Sequence, residues 1–328
     1  MFFYKLLKAA IYTEYGGPEV IKIRDIEKPV PNDNEVLVKV RACSINDWDW
    51  EMLRGTMWLT RMMNGRKRPK VTILGSDIAG TVDAVGSNVK TIKVGDDVFG
   101  DLSGKGNWGG FAEYVCAREE LLAVKSPKMS FEQAAAIPQA AMLAVQGLRD
   151  AGKMNGGEQI LVNGAGGGVG TFGIQLARHL GVEATGVDSG MKLEMLREMG
   201  YDHVINYQEE DFTKTGKKYD LILDTKTNRS VFSYVRALKP GGTYVTVGGD
   251  IGKLLEVFLL GWLVGLLTSK KIRIVALKPN KDLEYMKQMF DIGVTKPLID
   301  GPYRLEEIAE AFAKFSRGEH KGKIMIVM

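Results

Sequence analysis

The stretch QILVNGAGGGVGTFGIQLARHLG, residues 159–181, decides the fold. Residues 159–162 form a short apolar run of strand type, and residues 171–180 carry the apolar spacing of a helix that ends at Gly181. Between them lie Gly164, Gly166, Gly167, Gly168, Val169 and Gly170. Without side chains such a turn can be tight, its backbone can approach a pyrophosphate, and the helix that follows offers N–H donors at its start. The spacing is GxxGxxG at Gly164, Gly167 and Gly170 rather than GxGxxG. Glycine-rich turns also occur where nothing binds, but one set between the strand and helix of a βαβ unit predicts a dinucleotide site.

The position that reads an adenosine ribose is expected at the end of the next strand, roughly 20 residues on. There the chain reads Val187-Asp188-Ser189-Gly190-Met191-Lys192. Asp188 suits the two ribose hydroxyls of NAD(H), whereas Ser189 and Lys192 suit the 2′-phosphate of NADP(H); a polar helix cap with an exposed lysine is the competing reading. Further outward, residues 192–199 and 231–238 read as helices, and residues 183–187, 203–207, 219–224, 243–247 and 272–277 as strands, the last an edge strand. Strands alternating with short helices demand a parallel, doubly wound sheet.

On the N-terminal side, residues 36–98 are β-rich segments broken by glycines, and the pattern changes after Ser126-Pro127. A chain of 328 residues fits two domains. They are expected at residues 1–126 with 279–328, and at residues 127–278, the terminal strand at 323–327 folding back onto the first. Hydrophobic residues make up 45% and charged residues 26%, the balance of a globular protein. The net charge of +4 arises from 44 basic and 40 acidic residues in mixture, which excludes a nucleic-acid surface. Cys43 and Cys116 stand alone, offering neither a disulfide framework nor a zinc lobe, and suit a reducing cytoplasm. The opening MFFYKLLKAAIY is broken by Lys5 and Lys8 and reads as the lead into a strand, not as a signal peptide. Residues 254–267 are almost wholly apolar, but they contain Glu256 and fall short of the roughly 20 residues of a membrane span. They are expected to form a buried helix, a lid or a subunit contact, with contact to a membrane surface as the lesser alternative.

The whole chain resembles the medium-chain dehydrogenase/reductase superfamily, in its zinc-free quinone oxidoreductase branch. The landmarks are TEYGGPEVI, SINDWDWEMLRG, GSDIAGTVDAVGSNV, GDDVFG, GGFAEYV, AAAIPQAA, ILVNGAGGGVG, GYDHVINYQEEDF, LKPGGTYVTVG and HKGKIMIV. The resemblance implies an α/β protein with a GroES-like β-rich catalytic domain and a Rossmann dinucleotide-binding domain. It also implies zinc-independent hydride transfer from NAD(P)H to a quinone or α,β-unsaturated carbonyl in the cleft between the domains. The alternative is a regulatory NAD(P)H-binding or membrane-associated protein with little turnover. Zinc-dependent relatives carry a Cys where this chain has Asn46, and a His-Glu pair where it has Ser76-Asp77. The remaining histidines, His179, His203 and His320, are scattered, and each is expected at the surface or at a helix end.

By the same resemblance Lys192 and Tyr207 match residues that grip a 2′-phosphate, so NADP(H) is favoured, while the acidic Asp188 keeps NAD(H) possible. Gly248, which closes LKPGGTYVTVG, joins the cofactor set. Asn46 matches an asparagine of the nicotinamide and substrate pocket, where an amide can hydrogen-bond a carbonyl oxygen as charge develops on it; a turn residue after a strand is the competing reading. Two departures bear on the pocket: Leu143-Ala144 replaces a Thr-Ala pair, and Asp224-Thr225-Lys226-Thr227-Asn228 replaces Asp-x-x-Gly-Gly. The edge strand near Ile272 points to a homodimer.

Overall fold

The structure, a computed structural model, describes residues 6–328; Lys5 of the opening stretch lies outside the described residues. The chain divides into two compact units. The first comprises residues up to Gln139, together with Lys278–Asp291 and Pro297–Met328. In chain order it begins with β1 (Leu6–Ile11), β2 (Lys22–Glu27) and β3 (Glu35–Ser44), then α1 (Asp47–Arg54) and α2 (Trp58–Asn64). It continues through β4 (Asp77–Val85), β5 (Asp97–Asp101), β6 (Tyr114–Arg118), β7 (Ala123–Val124) and α3 (Phe131–Ala135). The division falls inside α4 (Pro138–Val145), so the helix after Ser126-Pro127 belongs to the first unit.

The second unit runs through β8 (Gln159–Asn163), α5 (Gly168–His179), β9 (Glu183–Asp188), α6 (Leu193–Met199) and β10 (His203–Asn206). It then takes β11 (Tyr219–Asp224), α7 (Val231–Arg236), β12 (Leu238–Thr246), α8 (Ile251–Leu267) and β13 (Lys271–Ile274). Helix α9 (Leu283–Asp291), β14 (Ile299–Arg304), α10 (Ile308–Ser316) and β15 (Lys323–Val327) return the chain to the first unit.

The first unit is built on β3, whose valines at 36, 38 and 40 alternate into the core. It pairs antiparallel with β4, β6 and β15, and the larger sheet runs β14-β15-β3-β4-β5-β7. The register sets Met325 opposite Ser44 and Asp77 opposite both Ser44 and Asp101, so the strand ends bring several polar residues together. Phe312 of α10 closes this core, its ring edge-on to Phe111 with centroids 5.8 Å apart.

In the second unit every pairing is parallel and the strand order is β10-β9-β8-β11-β12-β13. Parallel strands covered on both faces are apolar almost throughout, as ILV in β8 and LIL in β11 are. The order reverses between β8 and β11, and in such sheets ligands bind beyond the strand ends at that reversal. The loops that follow these two strands are Gly164–Gly167 and Thr225–Ser230.

The apolar helix departs from the sequence expectation. Helix α8 buries only Val257 and Val264, against the core that holds Tyr244 and Leu238. Ile251, Leu255, Phe258, Leu259, Trp262, Leu266 and Leu267 are all exposed. The reason is position: α8 packs along β13, the outermost strand, so one stripe of the helix meets protein and the rest has no layer above it. Its one carboxylate, Glu256, accepts from Ser230 Oγ at 2.6 Å and pairs with Lys253 at 2.9 Å.

Candidate active site

The glycine turn after β8 is shaped by two close approaches. Gly164 has φ +83°, and a Cβ there would lie 2.1 Å from Thr225 Oγ1. A Cβ at Gly170 would lie 2.4 Å from the Ala165 carbonyl oxygen, which is how α5 sits so close to the strand it follows. Gly167 is the N-cap of α5 and has no side chain to cap it. The first bond into the helix runs from Thr171 N–H to the Gly167 carbonyl at 3.0 Å, leaving the N–H groups of Gly168, Val169 and Gly170 at an uncapped helix start. Such a terminus favours an anion.

Asp188, the last residue of β9, turns its carboxylate to this loop. Oδ2 accepts from Gly166 N–H and Oδ1 from Ser189 N–H, both at 2.8 Å. Lys192 is buried, not an exposed cap residue: its Nζ lies 3.5 Å from Asp188 Oδ1, and its Cδ would be 2.6 Å from a Cβ on Gly166. Ser189 Oγ is buried and has no hydrogen-bond partner. Tyr207 is exposed and donates its N–H to the Asp188 carbonyl at 3.1 Å. The structure therefore gathers Gly164, Gly166, Gly167, Gly168, Val169, Gly170, Asp188, Ser189 and Lys192 at one end of β8 and β9, with the Tyr207 backbone beside them. Gly248 follows β12 beyond the same ends of the parallel strands: its carbonyl accepts from Thr227 N–H at 3.2 Å, and a Cβ there would lie 3.8 Å from the carbonyl oxygen of Thr225, the residue Gly164 also meets.

Beneath the loop runs a buried network that sequence reasoning missed. Asp224 accepts from Asn163 Nδ2 at 2.7 Å, Lys226 N–H at 2.8 Å and the Tyr244 hydroxyl at 2.9 Å. Thr227 Oγ1 lies 2.6 Å from Thr246 Oγ1 and 3.0 Å from the Tyr244 hydroxyl. Burial pushes the Asp224 carboxyl up, against these hydrogen bonds. The loop that replaces Asp-x-x-Gly-Gly is thus tied to β8 and β12 by side chains. The signal for it was present, since Asn163 and Asp224 are polar residues closing two apolar strands and are paired in register.

A second polar cluster lies in the first unit. Asn46, at the junction of β3 and α1, is buried and serves as the helix N-cap, its N–H donating to Asp49 Oδ2 at 2.9 Å. Its Oδ1 accepts from Lys323 Nζ, and its Nδ2 donates to Ser76 Oγ at 3.3 Å. Lys323 also donates to the Ile45 carbonyl at 3.1 Å and lies 3.5 Å from Asp77 Oδ2. Burial raises the carboxyls of Asp49 and Asp77 to about 7; Gly75 and Asn46 N–H groups oppose the rise at Asp49, and Lys323 opposes it at Asp77.

The first unit fits the description "Alcohol dehydrogenase GroES-like domain" over residues 32–128, and residues 199–326 fit "Zinc-binding dehydrogenase". A 2-methylene-furan-3-one reductase from Solanum lycopersicum is 33% identical, covering 98% of this chain and 79% of that protein. A quinone oxidoreductase from Homo sapiens is 32% identical, covering 99% of this chain and 98% of that protein. The chain belongs to the medium-chain dehydrogenase/reductase superfamily, in its zinc-free quinone oxidoreductase branch. Among solved structures of the superfamily, the quinone oxidoreductase from Coxiella burnetii superposes with a TM-score of 0.88 at 27% identity, covering 99% of this chain and 100% of that one.

Asn46 and Ser76, which by the resemblance stand where zinc-dependent relatives carry metal-binding residues, hydrogen-bond each other at 3.3 Å. Among the described residues no three His, Cys, Asp or Glu side chains are grouped to hold a metal ion. His179 ends α5 and His203 is exposed, as expected, but His320 is buried, stacked on Phe315 with centroids 4.8 Å apart.

Proposed function

We propose that the protein is a zinc-independent reductase that passes a hydride from NADPH to a quinone or an α,β-unsaturated carbonyl. The observation that carries the cofactor half is the uncapped start of α5 beside Lys192 and the unpartnered Ser189 Oγ. The α5 terminus would hold the pyrophosphate, and Ser189, Lys192 and Tyr207 the 2′-phosphate. The Asp188 carboxylate is engaged by the Gly166 and Ser189 N–H groups, and in this reading it would order the loop rather than select the ribose. NADH remains the weaker partner in this reading. A relative of similar kinship, 32% identical over 98% of this chain and 80% of its own length, is named as an NADPH-dependent alkenal/one oxidoreductase from Arabidopsis thaliana.

Bound NADPH would supply the hydride. The chain's own contribution would be the Asn46 amide: one N–H donates to Ser76 Oγ, and the second would donate to an acceptor oxygen as it gains negative charge. A conjugated acceptor already spreads that charge, which suits a site with an amide in place of a metal. Steady NADPH oxidation with a panel of quinones and enones tests the reading, and cofactor binding without turnover on any of them would favour a regulatory binding protein. Asn46→Ala is expected to lower kcat by about 100-fold while leaving the Kd for NADPH within about twofold; unchanged kcat would make Asn46 a helix cap alone.

A homodimer through the open edge of β13 belongs to the same reading, checked by sedimentation. The two unpaired cysteines support a reducing, cytoplasmic setting. The exposed apolar face of α8 favours one addition, reversible attachment to a membrane surface, tested by vesicle flotation. Among the described residues no helix is long and apolar enough to cross a membrane.

A further inference from the structure

Lys323 opens β15, the strand that joins the end of the chain to β3. Gly322 immediately before it has φ +71°, and a Cβ there would lie 2.2 Å from the Leu298 carbonyl oxygen. The turn thus delivers the lysine stem into the polar cluster with no room for a side chain ahead of it. Lys323 is buried, and its ammonium meets the Ile45 carbonyl, Asn46 Oδ1 and the Asp77 carboxylate. An ammonium has three donors and no acceptor. Whatever faces it on an amide must therefore be oxygen, which turns the NH2 group of Asn46 the other way, towards Ser76 Oγ. A primary amide is otherwise free to flip between two orientations of equal shape.

We infer that Lys323, held by Asp77, is a positioning residue that locks the Asn46 amide with its oxygen on the ammonium and its NH2 turned away from it, one N–H on Ser76 Oγ and the second polarised as a hydrogen-bond donor to the acceptor oxygen. Its role rests on the reductase reading above. A positive charge on the carbonyl side of an amide draws electron density from its nitrogen and strengthens the N–H groups as donors. The fixed charge reaches the reacting oxygen through the amide rather than by contact, and so supplies part of what a metal supplies in other members of the superfamily.

The test uses Lys323→Met, which keeps the stem and removes the charge and donors. Turnover on an active enone or quinone is expected to fall about tenfold, with the Kd for NADPH changed less than twofold, and Lys323→Arg is expected to restore part of the loss. In an Asn46→Ala background the same replacement is expected to cost nothing further, because its path runs through that amide. If Lys323→Met does not fold, Lys323→Met/Asp77→Asn removes both charges of the pair and is expected to show the same loss of kcat. The side-chain amide resonance of Asn46, assigned by its disappearance in Asn46→Ala, reads the positioning directly and is expected to shift and broaden in Lys323→Met. An unmoved resonance, or a loss of kcat of equal size with and without Asn46, overturns the inference. A wild-type protein that reduces none of the acceptors overturns the reductase reading instead, and the resonance still decides whether Lys323 fixes the amide.

Discussion

Lys192 carries two jobs that pull on the same atoms. Its stem lies over Gly166 and its ammonium sits near Asp188, so part of its charge is already answered before any phosphate arrives. A 2′-phosphate would still add charge-assisted hydrogen bonds worth about 1.5–3 kcal/mol each. Lys192→Ala is therefore expected to raise the Kd for NADPH about tenfold or more and to leave that for NADH nearly unchanged, as titration of cofactor fluorescence would show. Equal weakening of both cofactors would mean that the lysine acts only by packing the loop. Asp188 is different: it binds two loop N–H groups, so its removal is expected to weaken both cofactors rather than to switch preference. The identity of these residues was legible in the sequence, because strand, turn and spacing place them. Their orientation was not, since whether an aspartate faces a ribose or a backbone amide depends on the turn of the loop against its own strand.

The buried carboxylates of the first unit give a second residue-scale expectation. Asp49 and Asp77 titrate near 7 in the folded chain and near 4 when exposed. Across that window the folded state holds protons that the unfolded state has released, so stability falls as pH rises and levels off above about 7. Each carboxyl is expected to contribute a loss of about 1–2 kcal/mol between pH 5.5 and 8. Urea unfolding at the two pH values measures it, and Asp77→Asn is expected to flatten the slope; an unchanged slope would mean that Asp77 stays ionised throughout.

At the scale of elements, the β8–α5 junction and α8 show opposite relations between sequence and structure. The junction was readable because glycine spacing encodes backbone contact, and Gly170 packs where even a methyl group meets the Ala165 backbone at 2.4 Å. Gly170→Ala is expected to cost about 2–3 kcal/mol in thermal or denaturant unfolding, since backbone rather than a movable side chain must yield. A stability change under about 0.5 kcal/mol would show the turn to be more pliant than its geometry implies. The apolar run in α8 was readable as a helix, but its burial was not, because an apolar sequence records what a helix needs to cover without recording what covers it. The Asp224 network was signalled only by the polar residues that close β8 and β11, and the Lys323 contact with Asn46 not at all, as each joins residues far apart in the chain through one side chain.

For the molecule as a whole, the exposed face of α8 is the feature that its own fold leaves unanswered. Seven large apolar side chains from Ile251 to Leu267 meet solvent. Residues 251–274 hold Lys253, Lys270, Lys271 and Arg273 against the single carboxylate Glu256, and Lys271 and Arg273 are exposed. An apolar stripe with basic neighbours suits an anionic lipid surface, where each cation adds about 1 kcal/mol and inserted apolar area adds more. A second copy placed on the same face would bring its cations against these, although edge pairing through β13 alone would not require that. The protein is accordingly expected to float with vesicles containing anionic lipid and not with neutral ones, to release in high salt, and to lose binding in Trp262→Glu. That substitution replaces an exposed side chain, so its thermal unfolding is expected to match the wild type. If no vesicle is bound and Trp262→Glu instead turns a dimer into a monomer by sedimentation, the face is a subunit contact and the lipid reading is wrong.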